Sequence, residues 1–167
     1  TATLDAISAN LFDEHDGGFF RHAGERDWSD PTREKLLDVN AGLLRAFANG
    51  YLTTGEDRYR ETAGRTVAFL TSVLWTGEGF GNSQQPGEYF ERAPEEREAT
   101  EAPPIDESTY AGPNALAADA LAWYHGYTDD PDARRFAERT LSILSDEFLD
   151  DGVVDHCREG CEWELLS

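Results

Sequence analysis

The chain has 167 residues, enough for one domain, with 34 acidic against 14 basic side chains, a formal net charge of −20 and a pI near 4.3. Such a surface repels phosphate backbones and anionic lipids, which argues against nucleic-acid and membrane partners. No stretch approaches the ~20 apolar residues of a membrane span, and the acids are spread along the whole chain, as on a solvated surface in a very salty cytoplasm.

The elements follow from apolar spacing and punctuation. A partial helix covers roughly Thr3 to Phe12 and runs into Asp16-Gly17-Gly18-Phe19. A first full helix is expected to start at Asp30-Pro31, an N-cap followed by proline, and to stop near Thr54-Gly55. Its stripe is Leu36/Leu37, Leu43/Leu44, Phe47 and Tyr51. A second spans about Asp57 to Leu74 on Tyr59, Ala63, Val67, Leu70 and Leu74. The connection Thr76 to Ser108 is long, carries Gly77, Gly79, Gly81, Glu95-Glu96-Arg97-Glu98 and Pro103-Pro104, and reads as functional or disordered. A third helix spans about Pro113 to Tyr127, and a fourth begins at Asp130-Pro131 and carries Phe136, Leu141, Leu144 and Phe148. Within each pair the link is tight, so the helices are antiparallel neighbours. After each pair comes a short apolar piece (Phe19-Phe20, Gly79-Phe80, Val153-Val154), expected to form hairpin-like strands at one end.

The chain also repeats itself. Sliding Asn40 onto Asn114 aligns Thr54 with Thr128, Arg60 with Arg134, Arg65-Thr66 with Arg139-Thr140 and Leu70 with Leu144. Thr1 to Phe20 reads as the close of one unit, and Glu164-Leu165-Leu166 as the opening of another, compare Glu34-Lys35-Leu36-Leu37. Such units bury their apolar faces against neighbours. The expectation is an all-α array of antiparallel helical hairpins in which 1–167 forms a single repeat domain, a piece of a longer chain.

For chemistry, the densest polar and aromatic constellation is Arg21, His22, Asp27, Trp28 and Glu34, with Tyr89 expected on the same long-loop face. An indole stacks on a sugar ring, and arginine and carboxylates bond its hydroxyls. The alternative is that Trp28 packs over a helix end while Arg21 pairs with Asp27. Asn40 and Asn114 are expected to make equivalent structural hydrogen bonds. Cys157 and Cys161, with His156 adjacent, have the spacing of neither a thioredoxin pair nor a full metal set. No cofactor motif occurs, and no metal site is expected.

These residues also carry a resemblance. Asp16-Gly17-Gly18-Phe19-Phe20-Arg21, Asp27-Trp28, Pro31, Glu34-Lys35-Leu36-Leu37-Asp38 and the turn Thr54 to Tyr59 resemble the helical part of the thioredoxin-domain-containing family that includes spermatogenesis-associated protein, a family largely of unknown function. The match runs from about Leu11 to Phe90, with weaker support from Tyr110 to His156. It implies an upstream thioredoxin-like domain followed by an (α/α) toroid, similar to N-acylglucosamine 2-epimerases and six-hairpin glycosidases. Thr32 stands where the family has histidine, His22 where it has an aromatic residue, and Asn82-Ser83-Gln84-Gln85 where it has an acidic segment. The expected role is therefore a cytoplasmic, non-catalytic scaffold able to self-associate as a homo-oligomer. The alternative is a carbohydrate-binding or sugar-epimerase-like domain, its ligand a neutral or cationic polar molecule.

A charge of −20 with one lysine, Lys35, among thirteen arginines has a direct consequence. Screening relieves self-repulsion in the compact state, so the melting temperature rises between low salt and roughly molar KCl. A calorimetric scan at the two salt concentrations checks this; an unchanged or lower midpoint refutes it.

Overall fold

The structure, a computed structural model, describes residues 1–158. Helix α1 (Ala2–Leu11) leads through β1 (His22–Ala23), β2 (Pro31–Thr32) and β3 (Lys35–Leu36) into the antiparallel pair α2 (Leu37–Thr54) and α3 (Asp57–Phe69). A long connection with β4 (Ser83–Gln84), the one-turn α4 (Pro94–Arg97) and β5 (Ile105–Asp106) leads to the second pair, α5 (Ala111–Thr128) and α6 (Pro131–Ile143). The closing hairpin is β6 (Leu149–Asp150) and β7 (Val153–Val154). The all-α expectation holds: helical hairpins carry the fold and the strands are two residues each.

The repeat is carried into the backbone without a register slip. The ends of α2 and α3 fall on those of α5 and α6 under the shift that takes Asn40 to Asn114. The widened π-turns that finish α3 (Leu70–Leu74) and α6 (Leu144–Phe148) coincide as well. At the turn after α2, Gly55 adopts φ 72° and donates its N–H to Tyr51 O. Asp129 takes its place after α5 at φ 56° and donates to His125 O. Asp130 Oδ1 caps α6 by accepting the N–H groups of Asp132 and Ala133, both at 2.9 Å.

Two buried asparagines fasten each unit to the one before it. Asn40 Oδ1 accepts the Phe19 N–H at 2.7 Å, and its Nδ2 donates to Phe19 O and Leu36 O. Asn114 does the same to Phe80 N–H (2.9 Å), Phe80 O and Tyr110 O. Phe19 and Phe80 are the returning strands of the hairpins Phe12↔Phe19 and Trp75↔Phe80. The expected hairpin pieces therefore exist, and one side chain per unit acts as a strand partner for each.

α2 and α5 pack side by side, with α3 on α2 and α6 on α5. The core is continuous across both pairs: Leu37, Leu44, Phe47, Ala63, Leu70, Phe80, Ala117 and Leu121 are buried. The connections preceding α2 and α5 meet at one end in a three-stranded antiparallel sheet, β3-β4-β5.

The first full helix does not start at Asp30-Pro31. Asp30 sits at φ 52°, Pro31–Thr32 pairs with His22–Ala23, and the helix begins six residues later at Leu37. Local capping chemistry lost to lateral pairing, because β4 takes up the backbone of Lys35 and Leu36. The third helix begins earlier than expected, at Ala111, because a proline within the first turn removes no intrahelical hydrogen bond. The long connection is ordered: it supplies two sheet strands, a turn at Glu88–Glu91 and α4.

What pins that connection down is the chain's single lysine. Lys35 is fully buried. Its Nζ donates to Asp13 Oδ2 at 2.8 Å and Gly17 O at 2.7 Å, within a cage of Phe20, Phe69 and Phe90 rings 4.7–5.4 Å away. Arg97, from α4, reaches the same carboxylate at 3.0 and 3.1 Å and Asp16 at 3.2 Å, and donates to Phe90 O. Burial by itself pushes the Asp13 carboxyl up. Lys35, the His15 N–H and Arg97 outweigh it and hold the group below its ordinary 3.8. Burial likewise pulls the Lys35 amine down, against the opposing pull of Asp13.

Two outcomes follow. Asn40→Ala strands the Phe19 N–H and C=O in the interior and lowers unfolding free energy by about 2–4 kcal/mol, with Asn114→Ala in the same range; urea titration measures both. Asp13 has a depressed folded-state pKa, so the stability it contributes is complete above its unfolded value and drains as pH falls through the folded one. Lys35→Met costs about 3 kcal/mol at neutral pH and, by removing the main influence that holds the Asp13 carboxyl down against burial, shrinks or reverses that acid loss. Urea titrations between pH 7 and 2.5 check the sign, and an acid limb identical to wild type contradicts it.

Candidate functional site

Of the six residues singled out, three come together. Arg21, His22 and Trp28 line an open hollow of about 390 Å³ with Ala23, Glu25 and Arg26, floored by Ile7 and Leu11 of α1. Glu34 stands beside it. It takes Arg21 Nη1 at 3.1 Å and the hydroxyl of the buried Ser83 at 3.2 Å. Because side chains alternate along an extended chain, the burial of Lys35 leaves Glu34 on the opposite side. His22 Nε2 is 3.4 Å from the Thr32 hydroxyl across β1 and β2.

The loop that carries Trp28 is closed by its own hydrogen bonds. Gly24 donates to Asp30 O, Glu25 to Ser29 O, and Trp28 to Glu25 O. Asp27 works inside this loop: its Oδ1 accepts both the N–H and the hydroxyl of Ser29, and these bonds hold its carboxyl below the usual range. Arg21 therefore pairs with Glu34 and not with Asp27. Trp28 packs partly against the core and sits at φ 68°. A bulky residue at positive φ is an uncommon, strained conformation of the kind concentrated at functional sites.

Tyr89 does not join the hollow. It is buried, packs edge-on against Phe90 at 5.2 Å, and donates its hydroxyl to Asp16 at 3.3 Å. Burial, then the Asp16 carboxylate, raises its phenol. Its place is the flank of the Lys35 cluster, where it buttresses the floor of the loop face. Arg26 and Glu25 were not singled out from the sequence, although they lie in the same run as Asp27 and Trp28. Ile7 and Leu11 were legible only as a helix stripe.

The remaining polar candidates take structural posts. His125 Nδ1 lies 2.9 Å from Asp130 O at the turn between α5 and α6. His15 sits 3.5 Å from Asp16. Tyr110 and His156 rings lie 5.2 Å apart, and Cys157 is disulfide-bonded. Cys161 and the segment Glu164-Leu165-Leu166 lie outside the described residues. Among the described residues no group of His, Cys, Asp and Glu is arranged to hold a metal ion, and no helix is long and apolar enough to cross a membrane.

No family model matches the chain, and no curated protein does. Solved structures do. The chain is similar to the cellobiose 2-epimerase of Spirochaeta thermophila DSM 6192, at 28% identity and a TM-score of 0.73 over 92% of this chain and 35% of that one. It is similar to a sugar epimerase from a ruminal bacterium, at 18% identity and a TM-score of 0.74 over 92% and 36%. It is also similar to a D-mannose isomerase, at 18% identity and a TM-score of 0.70 over 94% and 39%. The chain thus spans little more than a third of the length of these structures. Its fold is a segment of an (α/α) toroid of the six-hairpin glycosidase type.

Proposed function

We propose that the chain is a sugar-binding segment of a larger (α/α) toroid, holding a pyranose ring in the hollow at Trp28. The observation that carries this is Trp28 itself. A bulky side chain is held at φ 68° by a closed hydrogen-bonded loop, and it lines a solvent-open hollow beside Arg21, His22 and Arg26. A pyranose offers an apolar C–H face to an indole and hydroxyls to guanidinium and imidazole groups. A loop fixed in advance also loses little entropy on binding.

The similar solved structures support the ligand class, since those reported above are sugar epimerases and an isomerase. Binding is what this segment contributes. A thioredoxin-like domain upstream remains part of the same proposal.

A scaffold role in which the hairpins associate is the second reading, and one observation favours it. Leu141, Leu149 and Val154 are exposed at the edge formed by α6 and the closing hairpin, beside an apolar hollow of about 300 Å³. Their counterparts one unit earlier are Val67, Trp75 and Phe80. Val67 and Phe80 are buried, and Trp75 packs edge-on against Phe80 and Phe136, each at 5.0 Å.

Calorimetric titration with cellobiose and with mannose separates the two. Saturable millimolar binding that is lost in Trp28→Ala is the expected result. No heat with cellobiose, with mannose or with an acidic sugar such as glucuronate removes the sugar reading and leaves the scaffold.

A further inference from the structure

The overall charge points toward neutral or cationic ligands, but the hollow is locally basic. Three of its polar lining groups are Arg21, His22 and Arg26, against one lining carboxylate, Glu25. Arg21 is already engaged by Glu34. Arg26 is different. Among the described residues it makes no ion pair and no side-chain hydrogen bond, in a chain with 34 acids to choose from. Nearly every other arginine is taken: Arg33 by Glu91, Arg45 by Asp119, Arg65 by Glu14, Arg97 by Asp13, Arg158 by Glu147.

An unpaired guanidinium beside a strained tryptophan forms a two-part receptor. We infer that the hollow at Trp28 takes an acidic sugar, a pyranose bearing a carboxylate such as a hexuronate, with its ring on the indole and its carboxylate on Arg26. This rests on the sugar-binding reading and narrows it.

Two physical points select a carboxylate. The guanidinium fork matches a planar carboxylate with two parallel hydrogen bonds. A single negative charge also suffers less than a phosphate dianion from Glu25 at the rim and from the acidic surface around it. The long-range field of the −20 chain does not forbid an anion here. At physiological ionic strength it is screened over ~8 Å, whereas the Arg26 contact acts at hydrogen-bond distance. Of the other acids of this loop, Asp27 commits its carboxylate to the loop's own construction, while Asp30 takes part through its backbone. Asp27 bonds Ser29, and the Asp30 carbonyl accepts from Gly24. His22 faces the Thr32 hydroxyl and is available to a sugar hydroxyl.

The test uses glucuronate, glucose and glucose 6-phosphate as probes, titrated calorimetrically into the 167-residue chain at about 0.15 M salt, with circular dichroism confirming that each variant is folded. Glucuronate is expected to bind about tenfold tighter than glucose, the scale of one charge-assisted contact at an exposed site. Arg26→Gln should collapse that ratio to near one, and Arg26→Lys should keep part of it. Glucose binding as tightly as glucuronate, or a preference that survives Arg26→Gln, overturns the inference while leaving the sugar reading in place. Tighter binding of glucose 6-phosphate than of glucuronate overturns the carboxylate assignment. No binding of any of the three, by wild type or variants, removes both.

Discussion

An ammonium group with no exposed surface is the constraint on which the rest of the loop face depends. Transferring such a charge from water costs several kcal/mol even after relaxation, so Lys35 requires a full set of partners, and they come from three separate segments. Asp13 and Gly17 belong to the turn after α1, and the aromatic cage draws Phe69 from the end of α3 and Phe90 from the long connection, whose Arg97 is a second cation on the same Asp13 carboxylate. No one of these segments is fixed by local propensity. The turn 13–18 has positive φ at Gly17 and Gly18, with the Phe69 ring 2.6 Å from where a Cβ at Gly18 would lie, so only glycine lets the turn close over the cluster. The cluster thus converts a glycine turn, a sheet strand and an otherwise exposed one-turn helix into one rigid floor. Glu34, next to Lys35 in the chain, bonds instead to Arg21 and Ser83.

The two asparagines solve a different problem with the same economy. Each hairpin of a stacked array ends in a short returning strand whose N–H and C=O face inward with no sheet to receive them. Asn40 and Asn114 each present one acceptor and two donor hydrogens and satisfy both groups of Phe19 and Phe80. The third bond of each reaches back one turn, to Leu36 O or Tyr110 O, and ties off the helix start. Arginines repeat the logic on the outside. Arg65 stacks over Phe12 and donates to Glu14 O, and its counterpart Arg139 stacks over Trp75 and donates to Gly77 O. Arg45 and Asp119 share one repeat position on α2 and α5 and meet as an ion pair, as Asn49 and Trp123 meet in a hydrogen bond. A contact between equivalent positions of adjacent units is what a stacked repeat produces when neighbouring helices run parallel.

Much of this architecture was legible because it is written in periodicity. The register between Asn40 and Asn114, the tight turns at Gly55 and Asp129 and the cap at Asp130 are local signals that nothing overrides. The start of α2 was not legible. Asp30-Pro31 is good capping chemistry, yet Lys35 and Leu36 are claimed by Ser83 and Gln84, nearly fifty residues away, and no local rule weighs that pairing. Lys35 was passed over for a related reason: a lone lysine in an acidic chain reads as surface. At the site, Arg21, His22 and Trp28 were readable as a dense polar and aromatic run, and Glu34 as its neighbour. Tyr89 was not separable from them, since a long loop gives no clue to which side of a sheet its aromatics fall. Arg26 was hidden because what marks it, as it marks Arg92, is that no described residue engages its side chain, and that is a property of three dimensions.

Net charge and local charge therefore carry different information. An acidic surface acts on solubility and on the response to salt through the potential many ångströms from the chain. A small ligand in a hollow samples a few ångströms, where the identities of Arg21, Arg26, Glu25 and Glu34 decide the sign. An acidic protein sharpens this distinction. With acids in excess, the common fate of an arginine is capture by a carboxylate, so a guanidinium that no described residue engages on a hydrogen-bonded loop stands out. The same loop holds a tryptophan in a disfavoured backbone region. Arg26 and Trp28, two residues apart, both depart from local preference on a scaffold whose Asn40/Asn114 and Arg65/Arg139 contacts repeat from unit to unit, and that departure is the ground on which the hollow beside α1 is proposed as the site.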